Sequence, residues 1–235
     1  VWKARTSVNS FRGVGQQSLP WIDFVQEQLG IPCAVEVGTI SHTKQALKHN
    51  IKIYLGGTLF EAYIARNMFI EYCNLIKELE LNTVEISDGS IKMEHNKKCE
   101  YINKLANQNI TVFSEVGYKS SNKILAPSKW IELMAKELEA GSWKVIAEAR
   151  ESGNIGIYDK KNQIKSKLID SITDVIPNDK IIWETPKKHQ QVWFIKKFGA
   201  NVNLGNINHE DVMPLECLRL GLRSDTFNNF FNFIT

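Results

Sequence analysis

Thr111-Val112-Phe113-Ser114-Glu115 and Lys144-Val145-Ile146-Ala147-Glu148 enclose the stretch that decides the fold. Each is a short, mostly apolar run ending in a glutamate, the pattern of a parallel strand buried on both faces. Between them Trp130, Leu133, Met134 and Leu138 recur at helical spacing, and Gly141 stands where a helix C-cap belongs. Strand, helix and strand in that order form a βαβ unit, which requires a parallel sheet.

The alternation continues in both directions. Further strand-like runs cover residues 51–55, 83–87, 180–184 and 201–204, each bounded by Gly, Asn or Pro. Helical patterns cover residues 59–79, as one long helix or a helix with a bend, and then 101–106, 168–176, 190–198 and 211–222. Six strand–helix units from about residue 51 predict an α/β fold, a (β/α)8 barrel of the TIM type, as one domain over residues 1–235. Residues 1–50 must then supply the other two units, where irregularity is expected. One parse places a strand at Cys33–Val37 between helices at 19–29 and 43–49; another makes 21–25 the strand. The phenylalanine-rich residues 227–235 are too apolar for a free tail. They predict packing on the barrel or on a partner subunit, and hence a homo-oligomer.

Composition excludes several classes. The 235 residues are 43% hydrophobic and 23% charged, with 29 basic and 26 acidic residues. A net charge of +3 is too balanced to predict binding to nucleic acid or to a membrane surface. Lys187-Lys188-His189 is too short for a docking patch and reads as a solvated helix start. Cys33, Cys73, Cys99 and Cys217 form no CxxC pair, so reduced thiols in a cytoplasmic protein are expected, with Cys73 and Cys217 in the core. No apolar run is long enough to span a bilayer, no signal-type core follows Val1, and the absence of an initial Met reads as a trimmed or incomplete start. His42, His49, His95, His189 and His209 lack metal-ligand spacing and are read as surface or loop residues. No Walker or dinucleotide fingerprint and no Ser/His/Asp arrangement is present.

The chemistry is carried by acids. Catalytic groups of a parallel barrel sit where each strand passes into its loop. That position carries Glu85, Glu115, Glu148 and Glu184 on four successive strands. A single glutamate there would be an ordinary solvated or salt-bridged residue, but exposed glutamates belong on helices rather than repeatedly at the ends of apolar strands. Carboxylates crowded into one cavity repel unless a cation neutralises them, and oxygen-only ligands favour Mg²⁺ over zinc.

Neighbouring residues suit an anion. The backbone of Gly56-Gly57-Thr58 could hold phosphate at a helix start, although a tight turn explains it equally well. Gly205 and Asn206 end the last strand, near where barrels bind phosphate. Arg150 offers a bidentate fork, or else balances the acids. Lys119, beyond Glu115, could supply a proton or clamp an anion, or be a plain solvated lysine.

These stretches resemble the phosphosulfolactate synthase family. The resemblance rests on Gly56-Gly57-Thr58-Leu59-Phe60-Glu61, Glu85-Ile86-Ser87-Asp88-Gly89-Ser90, Ser114-Glu115-Val116-Gly117 with Lys119, Glu148-Ala149-Arg150-Glu151-Ser152-Gly153, Asn201-Val202-Asn203-Leu204-Gly205-Asn206 and Leu218-Arg219-Leu220-Gly221-Leu222-Arg223-Ser224-Asp225-Thr226. It implies a barrel lyase that adds sulfite to phosphoenolpyruvate with Mg²⁺. It implies Glu85, Glu115 and Glu148 as metal ligands, and Lys119, Arg150 and Glu184 as catalytic residues. Gly57, Ser87, Arg150, Ser152, Gly205 and Asn206 are then the substrate-binding residues. The front departs from the family: Lys3-Ala4-Arg5 stands for Lys-Pro-Arg, Gln26 falls at a lysine position in the second parse, and the front is about ten residues short. Another phosphate-handling barrel lyase or aldolase, or a non-catalytic relative with a structural or stress role, are the competing readings.

Overall fold

A computed structural model describes residues 9–12, 33–37, 52–117, 125–150 and 152–231. The chain is an α/β protein built on a curled, all-parallel sheet. The strands are β1 (Asn9–Arg12), β2 (Cys33–Val37), β3 (Lys52–Leu55), β4 (Thr83–Ile86), β5 (Thr111–Val116), β6 (Lys144–Ala147), β7 (Ile181–Glu184) and β8 (Leu204–Asn208). The six from β3 to β8 form the half-barrel that carries the site. Beyond it β2 pairs with β3, and β1 pairs with both β2 and β8. Cys33–Val37 is therefore the strand the first parse proposed, while residues 19–29, 21–25, 43–49 and Gln26 lie outside the described residues.

The described helices pack outside the sheet: α1 (Gly57–Ile64), α2 (Phe69–Glu78), α3 (His95–Ala106), α4 (Pro127–Glu139), α5 (Ser166–Thr173), α6 (Lys188–Phe198), α7 (Val212–Arg219) and α8 (Ser224–Phe230). In α4, Pro127 occupies the first turn, where its missing N–H costs nothing, and Trp130 and Met134 face the core. Gly141, at φ 115°, follows its C-cap as the sequence predicts.

Alternation along the strands separates two apolar layers. Ile53, Leu55, Val84, Ile86, Val112, Val116, Val145, Ala147, Ile181 and Trp183 join the large core between sheet and helices. The intervening Tyr54, Phe113, Ile146 and Ile182 form a separate cluster inside the curl, 1–3% exposed, with Tyr54 and Phe113 edge to face at 5.3 Å. Two positions beyond Phe113, Ile146 and Ile182 stand Glu115, Glu148 and Glu184. Period two thus places the acids one layer above an apolar floor.

Four expectations are corrected. Residues 59–79 are two helices, because Asn67 adopts φ 58° and breaks the run between α1 and α2. The last strand begins at Leu204 instead of ending there: Asn203 donates its amide to the Ile181 carbonyl at 2.9 Å, and the ladder starts with Leu204 opposite Trp183. The helix expected at 211–222 is α7, with α8 beyond it, where Thr226 Oγ1 donates to Leu218 O at 2.7 Å. His95 is half-buried at the start of α3, its ring 3.1 Å from the buried Glu137 carboxylate. Lys188 does begin α6 and pairs with Asp225 at 2.7 Å. Cys73, Cys99 and Cys217 are free, and Cys73 and Cys217 are half-buried. Among the described residues no helix is long and apolar enough to cross a membrane.

Candidate active site

Glu115, Glu148 and Glu184 come from the ends of the consecutive strands β5, β6 and β7. One carboxylate oxygen from each lies within 4.8 Å of the others, and the residues are 1%, 0% and 1% exposed. Three carboxylates so close in a desolvated cavity repel one another when charged, and a cation among them would relieve that repulsion. The donor set is all oxygen, so the trio suits a hard divalent metal ion.

The turn after β6 is shaped by two of these acids. Glu184 Oε2 accepts from the N–H groups of Ala149 and Arg150 at 2.7 and 3.1 Å, and Glu148 Oε1 accepts from Arg150 N–H at 2.7 Å. Arg150 has φ 55°, a left-handed conformation uncommon for a non-glycine residue, and its side chain is exposed. Ser152 follows, exposed, donating to Asn154 Oδ1 at 2.6 Å. The loop is tied to the start of α6 by the buried Gln190, whose amide donates to Gly153 O at 2.9 Å and whose oxygen accepts from Lys187 N at 3.1 Å. Gly156, at φ 64°, sits against the Glu148 carbonyl, where a Cβ would collide with backbone. Tyr158 is buried and donates its hydroxyl to Glu184 O at 2.7 Å. Burial, and then the Glu184 charge, push its pKa well above the ordinary tyrosine value, so it remains a donor.

Glu85 has other neighbours. It lies inside β4 opposite Phe113 and accepts from Gly57 N at 3.2 Å. Gly57 N–H is thus already engaged, and a Cβ there would come within 2.6 Å of Glu85 Oε1 and meet Ser87 as well. Close approach of these side chains explains this glycine. Ser87 donates to Glu61, whose second oxygen takes Ser90 N–H at 2.7 Å, so a buried helix acid pins the loop after β4. A Cβ on Gly56 would collide with Glu36 of β2, which brings a further acid to the start of α1.

Across the mouth, β8 is irregular. Its register with β1 shifts between Asn9 and Phe11, opposite Leu204 and Ile207. Asn206, with φ 54°, lies in that bulge, and its buried Nδ2 has no partner among the described residues. An amide donor left unsatisfied in a strand bulge beside acids is a candidate ligand contact. Gly205 O is taken by Thr185 N–H at 2.9 Å.

A second charged cluster supports the site from behind. Lys98, 1% exposed, donates to Glu137 at 2.8 Å, to Asp88 at 3.0 Å and to the main-chain carbonyl of Glu115. Burial alone would lower its pKa, but Glu137 and Asp88 outweigh it and raise it, keeping the ammonium charged. Glu137 is likewise desolvated, yet Lys98 and hydrogen bonds hold its carboxyl below the ordinary range.

Of the residues singled out in the sequence, the structure brings Glu115, Glu148 and Glu184 together, with Arg150 beside them. Glu85, Gly57 and Ser87 form a neighbouring group. Gly205 and Asn206 lie within β8, not after it, and Lys119 lies outside the described residues. Sequence reasoning missed Glu36, Glu61, Lys98 and Tyr158. Glu36 had a signal, as an acid inside the candidate strand Cys33–Val37; the others look like ordinary helix or loop residues until tertiary packing buries them.

Known proteins resemble the chain over most of its length. Residues 3–225 match the family of (2R)-phospho-3-sulfolactate synthase (ComA). The chain is 38% identical over 221 residues to the phosphosulfolactate synthase of Methanothermobacter thermautotrophicus, covering 92% of this chain and 86% of that protein. It is 38% identical over 211 residues to that of Methanocaldococcus jannaschii, covering 88% and 84%. It is 37% identical over 211 residues to that of Bacillus subtilis, covering 88% and 82%. The chain belongs to the phosphosulfolactate synthase family, enzymes of the carbon–sulfur lyase class.

Proposed function

We propose that this chain is a (β/α)8-barrel enzyme of one domain that adds sulfite to phosphoenolpyruvate, giving phosphosulfolactate, with Mg²⁺ held by Glu115, Glu148 and Glu184. The observation that carries the reading is the buried trio of glutamate oxygens within 4.8 Å, in a chain of this family. Glu85, which the resemblance implies as a further metal ligand, accepts from Gly57 N–H at 3.2 Å in the adjoining wall. When bound, the ion supplies positive charge where the substrate carboxylate becomes more negative.

The sulfite sulfur lone pair forms the new bond to the methylene carbon. The π pair of the carbon–carbon double bond moves toward the carboxylate, giving an aci-carboxylate. A proton then reaches the adjacent carbon, and Lys119 is the acid the family resemblance assigns to it. Arg150 presents its guanidinium at the mouth for phosphate or carboxylate, and Ser152 and Asn206 offer further polar contacts. Glu184 holds the Arg150 turn through its amide, so ion and anion grip are built on one carboxylate.

The test is incubation with sulfite, phosphoenolpyruvate and Mg²⁺. Loss of phosphoenolpyruvate that depends on sulfite, with phosphosulfolactate formed, is expected; no sulfite-dependent loss would overturn the reading. Soluble protein and a homo-oligomer in the cytoplasm are the accompanying expectations, and size-exclusion chromatography with light scattering reads the oligomer directly.

A further inference from the structure

All three acids of the trio have their main-chain carbonyls held from outside the sheet. Lys98 Nζ on α3 takes the Glu115 carbonyl. Ile157 N–H takes the Glu148 carbonyl at 3.4 Å, with Gly156 packed against it. Tyr158 Oη takes the Glu184 carbonyl at 2.7 Å. Two of the three grips come from adjacent residues of one loop.

That loop is itself anchored. Lys165 Nζ donates to Gly156 O at 2.8 Å, Tyr158 pairs with Ile164 across a bridge, and Gln190 holds Gly153. Ile157 and Tyr158 are 0% and 1% exposed, so both grips are dry. Lys98 is fixed just as firmly by Glu137 and Asp88. A strand-end carbonyl that rotates carries its own side chain with it, and a carboxylate displaced by a fraction of an ångström no longer shares an ion with two others.

We propose that Tyr158 and Lys98 are positioning residues of the metal centre, which clamp the backbone carbonyls of Glu184 and Glu115 and so set the spacing of these two acids from Glu148, whose carbonyl Ile157 N–H holds. This rests on the trio being a divalent-metal site. It assigns the segment Gly156–Ile157–Tyr158 to the metal centre, although none of the three belongs to the acidic trio.

The test is Mn²⁺ titration of the full chain, followed by electron paramagnetic resonance. The parent should bind one Mn²⁺, and Glu184→Gln should abolish it. Tyr158→Phe removes one hydroxyl and keeps the ring. It should weaken Mn²⁺ binding about tenfold and broaden the spectrum of the bound ion. Tyr72→Phe, which removes a buried hydroxyl with no part in these grips, should leave both unchanged. Lys98→Arg, which keeps the charge, should retain more affinity than Lys98→Met. A parent that binds no Mn²⁺ overturns the metal reading and this inference together. A parent that binds, with Tyr158→Phe within twofold of it and spectrally identical, overturns the inference alone.

Discussion

Glu148 and Glu184 share a single donor, the main-chain N–H of Arg150, at 2.7 and 3.1 Å. One amide therefore partly screens two neighbouring carboxylates and fixes the angle at which the chain leaves β6. The left-handed φ of 55° at Arg150 follows from this double acceptance. Such a conformation costs about 1 kcal/mol for a non-glycine residue, which the two charge-assisted bonds offset.

The crowding of acids predicts a conflict between stability and activity. Glu115→Gln should lower turnover at least about a hundredfold by weakening the ion site. The same variant, melted in excess chelator, should unfold at a higher temperature than the parent, because one of three mutually repelling charges is gone. Calorimetry of both proteins with and without chelator checks this; a lower melting temperature for the metal-free variant would argue against repulsion.

Asn206 combines a left-handed backbone with an amide that has no partner among the described residues. Asn206→Ala should raise the KM for phosphoenolpyruvate about tenfold and cost roughly 1 kcal/mol of stability, since alanine tolerates that φ less well. Asn206→Gly should show the same KM defect with little loss of stability. Steady-state kinetics and urea unfolding separate the two effects; an unchanged KM in both variants would remove Asn206 from the substrate contacts.

Tyr72 is fully buried, and its hydroxyl has no hydrogen-bond partner among the described residues. Burial, and then Glu85, push its pKa up, so it stays neutral. Tyr72→Phe should stabilise the protein by about 1 kcal/mol, because a desolvated hydroxyl is lost while the ring contacts with Phe60 and Tyr63 remain. Urea unfolding followed by tryptophan fluorescence measures the change.

The Lys98–Glu137 pair predicts the acid limb of stability. Glu137, beside Lys98, His95 and Ser114, has its pKa lowered from 4.5, so its contribution is present above that value and is lost as pH falls through the lower folded value. Lys98 has its pKa raised from 10.5, so its contribution is complete below 10.5 and is lost only at still higher pH. Stability should therefore drop on acidification below pH 4.5 and show no step from this pair near neutrality. Glu137→Gln should cost roughly 3 kcal/mol at neutral pH, by leaving the buried ammonium one carboxylate, Asp88, and the Glu115 carbonyl, and should flatten the acid limb. Urea midpoints measured across the acid range check both statements.

The alternation of apolar runs with helical stripes was enough to read six strand–helix units. Burial on both faces makes β5, β6 and β7 mostly apolar, and their acids stand at or beside the C-terminal ends. The same periodicity revealed Glu115, Glu148 and Glu184, because every second strand residue faces inward and the layer beneath them is apolar. It could not separate Glu85 from that set. Glu85 has the same local pattern, and only the structure shows its register opposite Phe113 and its bond from Gly57 N–H. The last strand was misplaced by its Asn-rich start, since the Asn203 side chain bonds to β7 before the ladder begins. Lys98 and Tyr158 were illegible for a related reason. A lysine on a helix and a tyrosine in a loop read as solvated residues, and only the packing of α3 and of the β6–α5 loop onto strand ends buries them on the acids' carbonyls. Local periodicity by itself determined the chemistry available to this protein, a set of inward carboxylates above an apolar floor. Tertiary structure decided which three converge and what holds them, because convergence depends on strand register and on long-range hydrogen bonds that leave no trace in local spacing.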